Sequence, residues 1–194
     1  MTWWIKARQV VQVLGLGLIV IALAAWLFTD VSASLVSWTV SHQTVPVLTF
    51  APLVLASALA FCLDSRLPEA EITAIRPVSA MDTFLITSAV AAALIIAGTA
   101  YAATHIGEAL VLARNTLFLT GLMLIARSFI ARGGIVVATG WVFVVILVGR
   151  RTPVEYFPWA ITGLPIDAPH ATITAVGAIT LGVLLTFLTA RKLP

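Results

Sequence analysis

The sequence contains few charged residues and one cysteine. Only 10% of its 194 residues are Asp, Glu, Lys or Arg, where an ordinary globular domain has about a quarter, and 61% are hydrophobic. A water-soluble domain of this size could not bury that much apolar surface, so the composition excludes one. The single cysteine, Cys62, excludes an intramolecular disulfide and is interpreted as a small apolar residue.

Motifs for covalent or phosphate chemistry are also missing. No Ser, Cys or Asp lies in a recognisable nucleophile motif, no glycine-rich loop could hold a phosphate, and no two carboxylates pair within an apolar run. These absences argue against an intramembrane protease, a kinase and a proton-driven antiporter. We therefore predict no enzymatic activity and no cofactor. Nucleic-acid binding is not expected either, because the basic residues are dispersed at the ends of apolar runs.

The chain instead contains six apolar runs of about bilayer-spanning length. Five carry no charge, and the fourth has Arg114 and Arg127 near its two ends. We predict an all-α, polytopic membrane helix bundle in which residues 1–194 form a single transmembrane domain of the cell membrane. The first run is too long for a signal peptide and is interpreted as a retained signal anchor. The predicted spans are Val10–Phe28, Val45–Leu63, Thr83–Thr104, Leu110–Ile130, Gly133–Gly149 and Ala171–Ala190.

The distribution of Lys and Arg favours a topology with both termini in the cytoplasm. This arrangement leaves only Arg114, Arg150 and Arg151 outside. The fifth run is short, and if it were a re-entrant hairpin, the Arg150-Arg151 pair would lie inside instead. The basic residues on the predicted cytoplasmic side are Lys6, Arg8, Arg66, Arg76, Arg127, Arg132, Arg191 and Lys192.

The predicted loops are unequal in length. Asp64–Asp82 is the cytoplasmic loop of appreciable length, and Thr29–Thr44 and Arg150–His170 are long outer loops. Apolar residues at helical spacing predict a short interfacial helix in the first outer loop. The second combines prolines with Tyr and Trp, so we expect it to cap the helix ends or to dip partly inward.

The cytoplasmic loop contains a candidate partner-docking segment. Pro68 suits the first position of a helix, acidic residues follow it, and Arg76 precedes a proline that would end the helix. Its exposed apolar residues would lie on the membrane or dock into a partner's groove, and a capped connector on the headgroups is the alternative. The candidate docking residues are Pro68, Glu69, Glu71, Ile72, Ile75 and Arg76.

Arg114 and Asn115 are the candidate intramembrane or pathway residues. A guanidinium inside an apolar segment is costly unless it snorkels or meets an acid, a carbonyl or a water-filled cavity. Glu108 is six positions away, on the wrong helical face for pairing. Interfacial snorkelling and a role in a substrate path or an inter-subunit ion pair both remain open.

The three histidines, His42, His105 and His170, all lie in predicted outer loops. We interpret them as interfacial or capping residues and predict no metal site. The alternative is a divalent metal site formed if the loops converge, since His105 and Glu108 have the spacing that places two ligands on one helical face.

Three stretches resemble small multi-spanning proteins found with ATP-binding-cassette exporters of Gram-positive, high-GC bacteria. The resemblance implies a permease-like or accessory subunit whose ATPase is a separate chain. It covers less than a quarter of the sequence. The stretches are Leu67-Pro68-Glu69 to Arg76-Pro77, Ala113-Arg114-Asn115-Thr116-Leu117 with Thr120-Gly121-Leu122, and Pro158-Trp159-Ala160 to Gly163-Leu164-Pro165.

We therefore expect an integral membrane subunit of a multi-component, ATP-driven transport complex. Its expected partners are the lipid bilayer, other membrane subunits and a cytoplasmic ATPase. The first alternative is a solute-binding membrane module with a pocket lined by Arg114, Asn115 and Tyr101. The second is a membrane metalloprotein or enzyme that uses the three histidines and Glu108.

Overall fold

The computed structural model describes residues 9–28, 30–39, 43–65, 78–130, 133–152 and 154–189, and these are mainly helical. Helix α1 is preceded directly by a π-helical turn, Val10–Leu14, and helix α2 follows a short 3-10 turn, Val47–Thr49. In chain order the elements are α1 (Gly15–Leu27), β1 (Ser32–Leu35), β2 (Gln43–Pro46), α2 (Ala51–Asp64), α3 (Val78–Thr104), α4 (Glu108–Phe129), α5 (Gly134–Val148) and α6 (Pro169–Thr189).

Five helical segments in the described part of the chain are long and apolar enough to cross a membrane. A sixth apolar helix, α5, has 15 residues, which corresponds to about 22 Å of rise against a hydrocarbon core of about 30 Å. The prediction of a mainly helical chain with several helices of membrane-spanning length is therefore confirmed. These helices are compatible with a multi-pass membrane protein. The five segments are Val10–Leu27, Val47–Asp64, Ala80–Thr104, Glu108–Phe129 and Pro169–Leu188.

The prediction of a short helix within Thr29–Thr44 is wrong. Strands β1 and β2 form an antiparallel hairpin there, with Ser32 opposite Pro46 and Leu35 opposite Gln43, so the fold is not purely α-helical. The segment is rich in Ser, Thr and Val, which suit extended backbone, and the two strands satisfy each other's amide and carbonyl groups. The second span also begins later than predicted, because Pro46 ends the hairpin and Pro52 lies in the first turn of α2.

Helix α4 is the central helix of the bundle and packs against α2, α3, α5 and α6. Its closest neighbour is α6, because small residues face each other where the two helices cross. A Cβ atom on Gly121 would lie 2.5 Å from the backbone nitrogen of Ile179, and one on Gly182 would lie 2.9 Å from the carbonyl oxygen of Gly121. Glycine therefore sets the distance between these two backbones.

Small residues at helical spacing in the third apolar run, and two glycines in the first, predict close helix contacts there. Ala89, Ala93 and Ala97 of α3 are all buried. In α1, a Cβ on Gly17 would lie 3.1 Å from the Cβ of Ala58 in α2, whereas a Cβ on Gly15 has no described atom within 4 Å. Gly17, and not Gly15, permits the close approach of the first two spans.

An ion pair joins α2 to α4 at one end of the bundle. The Nη2 atom of Arg127 lies 2.9 Å from Oδ1 of Asp64, and it also donates a hydrogen bond to the carbonyl oxygen of Leu63 at 2.7 Å. The loop that follows Asp64 contains all six candidate docking residues, and these lie outside the described residues. The β-hairpin and the segment from Gly149 to Ala168 lie at the opposite end, which we call the hairpin end.

Candidate functional site

Arg114 is buried in α4 and binds backbone carbonyl groups. Its side chain is 3% exposed, Nη1 donates to the carbonyl oxygen of Pro165 at 2.8 Å, and Nη2 donates to that of Leu164 at 2.5 Å. The planar guanidinium suits this geometry because two of its N–H groups can meet adjacent acceptors at once. Arg114 therefore does not snorkel to a surface. Of the partners that the sequence suggested, which were an acid, a carbonyl and a water-filled cavity, the structure shows backbone carbonyls.

Asn115 holds the same loop from the next position of the helix. It is fully buried, and its Nδ2 donates to the carbonyl oxygen of Thr162 at 2.9 Å. The loop residues Ala160, Ile161 and Thr162 are buried, in agreement with the expectation that this Pro-rich segment dips inward. The two residues singled out from the sequence thus act together and position one stretch of the loop.

The hairpin caps the C-terminal end of the short helix α5. Gln43 Nε2 donates to the carbonyl oxygen of Ile146 at 2.8 Å, while the Ser37 hydroxyl and the Trp38 amide donate to that of Leu147 at 2.9 and 3.0 Å. Carbonyl groups in the last turn of a helix have no partners within it and are costly to leave unpaired in an apolar medium. These bonds explain how a 15-residue apolar helix can end inside the protein.

Arg150 joins the hairpin to the loop. It is 8% exposed, and its Nη2 donates to the carbonyl oxygen of Thr44 at 2.7 Å and to the hydroxyl of Tyr156 at 2.9 Å. Its guanidinium carbon lies 4.6 Å from the centroid of the Tyr156 ring, at cation–π distance. From the sequence, Arg150 was counted only among the charges that determine topology. Its position, at the end of an apolar run and before an aromatic, Pro-rich loop, also indicated a residue that could bind the loop.

A pocket of about 500 Å³ lies between the hairpin, the first turns of α4, the end of α5 and the loop. Its volume falls in the range of about 300–1,000 Å³ that is usual for small-molecule sites. Most of the lining is apolar, and a few polar side chains interrupt it. The lining includes Leu48, Val111, Leu112, Val142, Val145 and Ile146 among apolar residues, and Gln43, Glu108, Arg150, Tyr156 and Thr162 among polar ones.

The pocket predicted from the sequence differs from this one. Arg114 and Asn115 do not line it but support the loop that forms one wall, and Leu164 and Pro165 belong both to that wall and to the bonds of Arg114. Tyr101 is also outside the lining, and its ring meets the ring of His105 edge-on at 6.2 Å between centroids. The sequence thus identified supporting residues of the site, and of the polar residues that line the pocket it singled out only Glu108, as a candidate metal ligand.

The histidines do not form a metal site in the described part of the chain. His105 precedes α4 with a left-handed φ of 56°, so it does not share a helical face with Glu108 as predicted. His170 lies in the first turn of α6, and its Nε2 is 3.3 Å from the carbonyl oxygen of Pro158 in the loop. His42 lies outside the described residues, and no three His, Cys, Asp or Glu side chains gather among those inside.

Comparisons with protein-family models, with curated proteins and with solved structures find no match to this chain. The resemblance to exporter-associated membrane proteins therefore stays a prediction, and the case for function depends on the geometry of the hairpin end.

Proposed function

We propose that this chain is a solute-binding membrane subunit of a multi-component, ATP-driven transport complex in the cell membrane. The observation that carries the proposal is the largely apolar pocket at the hairpin end, which has polar side chains at a few positions. Its walls come from distant parts of the chain and are held by Arg114, Asn115 and Arg150 through hydrogen bonds to backbone carbonyls. Such support suits a site that must keep its shape for a ligand.

Occupancy of the pocket is open to a direct measurement. Native mass spectrometry of the protein, released gently from membranes, should detect a bound small molecule that a Val145→Trp variant loses, because Val145 is buried in the pocket wall. Val144→Trp is the matched control, since Val144 is the neighbouring residue of α5 and is 46% exposed outside the lining. Equal occupancy in the two variants, or an empty wild-type protein, would contradict solute binding in this pocket.

The proposed topology has six spans, with α5 as the fifth and both termini in the cytoplasm. The excess of Lys and Arg on the cytoplasmic side supports it, as does the capped end of α5, which lets a short helix serve as a span. In this orientation the hairpin end faces outward, and Asp64 with Arg127 faces the cytoplasm. The pocket would then meet solute on the outer side of the membrane.

The proposed energy source is a separate ATPase that docks on the cytoplasmic loop. Support comes from the composition of these 194 residues, in which six apolar runs alternate with short connecting segments. The proposed contact is the segment Pro68–Arg76, with Ile72 and Ile75 as its apolar residues. It belongs to the loop outside the described residues, so its support is the sequence pattern.

Cysteine labelling tests the topology and the docking together. In a Cys62→Ala background, a membrane-impermeant maleimide should label Ile75→Cys only in inverted vesicles and Glu155→Cys only in right-side-out cells. A co-purified ATPase should protect Ile75→Cys, and the pair Ile72→Asp with Ile75→Asp should abolish its association because charge disfavours an apolar contact. Labelling of both cysteines from one side would overturn the topology, and ATPase association that survives the Asp pair would overturn the docking site.

A further inference from the structure

Two buried oxygen atoms in the pocket wall lack hydrogen-bond partners among the described residues. Gln43 and Thr162 are each 1% exposed and both line the pocket, and the atoms concerned are Oε1 of Gln43 and Oγ1 of Thr162. Buried polar atoms are normally paired, so each such atom calls for an explanation. Because both residues line the same pocket, a bound ligand is the simplest explanation.

The hydrogen bonds around these residues determine what the oxygens can do. Gln43 Nε2 donates to the carbonyl of Ile146, which fixes the amide orientation and leaves Oε1 as an acceptor. Asn115 donates its hydrogen bond to the backbone carbonyl of Thr162. The hydroxyl of Thr162 is not used in that bond and can accept or donate another. A ligand that satisfies both oxygens must therefore donate a hydrogen bond to Gln43, and it can accept one from Thr162.

The charged side chains of the pocket do not call for a charged ligand. Glu108 and Arg150 both line it with opposite formal charges. The carboxylate of Glu108 lies in the first turn of α4, where the helix dipole favours an anion. Arg150 donates to Thr44 and Tyr156 and so already has protein partners.

We propose that the pocket binds an uncharged amphiphile, with a hydroxyl or primary amide head group that donates a hydrogen bond to Oε1 of Gln43 and accepts one from the hydroxyl of Thr162. Its apolar body would lie against the valine and leucine side chains of the wall. This inference rests on the proposed function and specifies the class of solute.

Thr162→Val is the informative variant because it removes the hydroxyl while nearly keeping the shape of the side chain. The hydroxyl has no protein partner in the described structure, and the hydrogen bond from Asn115 goes to the backbone, so the fold should not change. Thr120→Val is the matched control. Thr120 is fully buried in α4, its hydroxyl also lacks a partner among the described residues, and it lies outside the pocket lining.

The test measures binding of tritiated dodecanol, dodecylamine and dodecanoate to the purified full-length protein in nanodiscs, with empty nanodiscs subtracted. We expect dodecanol to bind most tightly, Thr162→Val to weaken it about fivefold, as the loss of one hydrogen bond does, and Thr120→Val to leave it unchanged. Tighter binding of the amine would assign recognition to Glu108, and tighter binding of the acid would assign it to Arg150. Either result overturns the neutral head group and leaves the pocket as a solute site.

An equal effect of the two valine variants would also overturn the role of Thr162. If none of the three probes binds above the background of empty nanodiscs, and the Val145→Trp variant behaves like the wild type, both the ligand class and the proposed solute site fail. The two levels of the proposal are therefore distinguished by which of these results is obtained.

Discussion

Replacing Arg114 by methionine should release the loop that forms one wall of the pocket. The substitution keeps an unbranched side chain but removes both donors to the carbonyls of Pro165 and of Leu164, which is buried. Hydrogen bonds to a charged group contribute about 1.5–3 kcal/mol each, so a loss of about 3 kcal/mol for the pair is a reasonable expectation. Opening of the loop should then become about a hundredfold more frequent.

Trypsin cleavage after Arg151 measures this opening, because Arg151 is exposed at the start of the loop. The rate of cleavage should rise in Arg114→Met and should be only partly restored in Arg114→Lys, since an ammonium cannot present the planar fork of donors. Arg127→Met is the control, because it removes a cation from the opposite end of the same helix. Unchanged cleavage after Arg151 in Arg114→Met would show that these hydrogen bonds do not hold the loop.

Replacing Gly121 by leucine should have the largest effect on the stability of the bundle. The added Cβ alone would lie 2.5 Å from the backbone nitrogen of Ile179, so α4 and α6 must separate along their closest contact. Overpacking usually costs about 1–3 kcal/mol, and a clash with rigid backbone falls at the upper end of that range or above it. We expect the melting temperature in detergent to fall by about 10 °C.

Gly177→Leu is the matched control for this prediction. Gly177 lies in α6, as Gly182 does, but a Cβ at position 177 would have no described atom within 4 Å. Leucine is a better helix former than glycine by roughly 0.5–1 kcal/mol, so this variant should be as stable as the wild type or slightly more stable. Similar melting temperatures for the two variants would mean that the α4–α6 crossing is not set by Gly121.

Several features of the fold could be predicted because they depend on composition and periodicity. The six apolar helices follow from the apolar runs, and their ends lie within a few residues of the prediction, apart from the start of the second and the third. The buried ridge of Ala89, Ala93 and Ala97 follows from spacing on one helix. Hydrophobic runs and residue spacing are sufficient to predict a helix when the residues of that helix alone determine its formation.

The hairpin could not be predicted in the same way. Apolar residues at helical spacing between Thr29 and Thr44 favoured a helix, but pairing with Gln43–Pro46 and the bonds from Ser37, Trp38 and Gln43 to the end of α5 favoured extended backbone. The end of α5 is 103 positions from Gln43 and 110 from Ser37 in sequence. When the intrinsic preference of a short segment for helix or strand is weak, its tertiary contacts determine its conformation.

The residues alone indicated several apolar helices of membrane-spanning length and the need of Arg114 for a partner, because these follow from the apolar runs and from a charge within one of them. Only the tertiary structure decided which partner that is, and which side chains face the pocket. The partners of Arg114 are the backbone carbonyls of Leu164 and Pro165, and every residue has such a group, so no residue type identifies them in advance. For the same reason, Gln43 and Thr162 became visible as a binding site only when the folded chain placed both in the lining of one cavity, each with an oxygen that has no partner among the described residues.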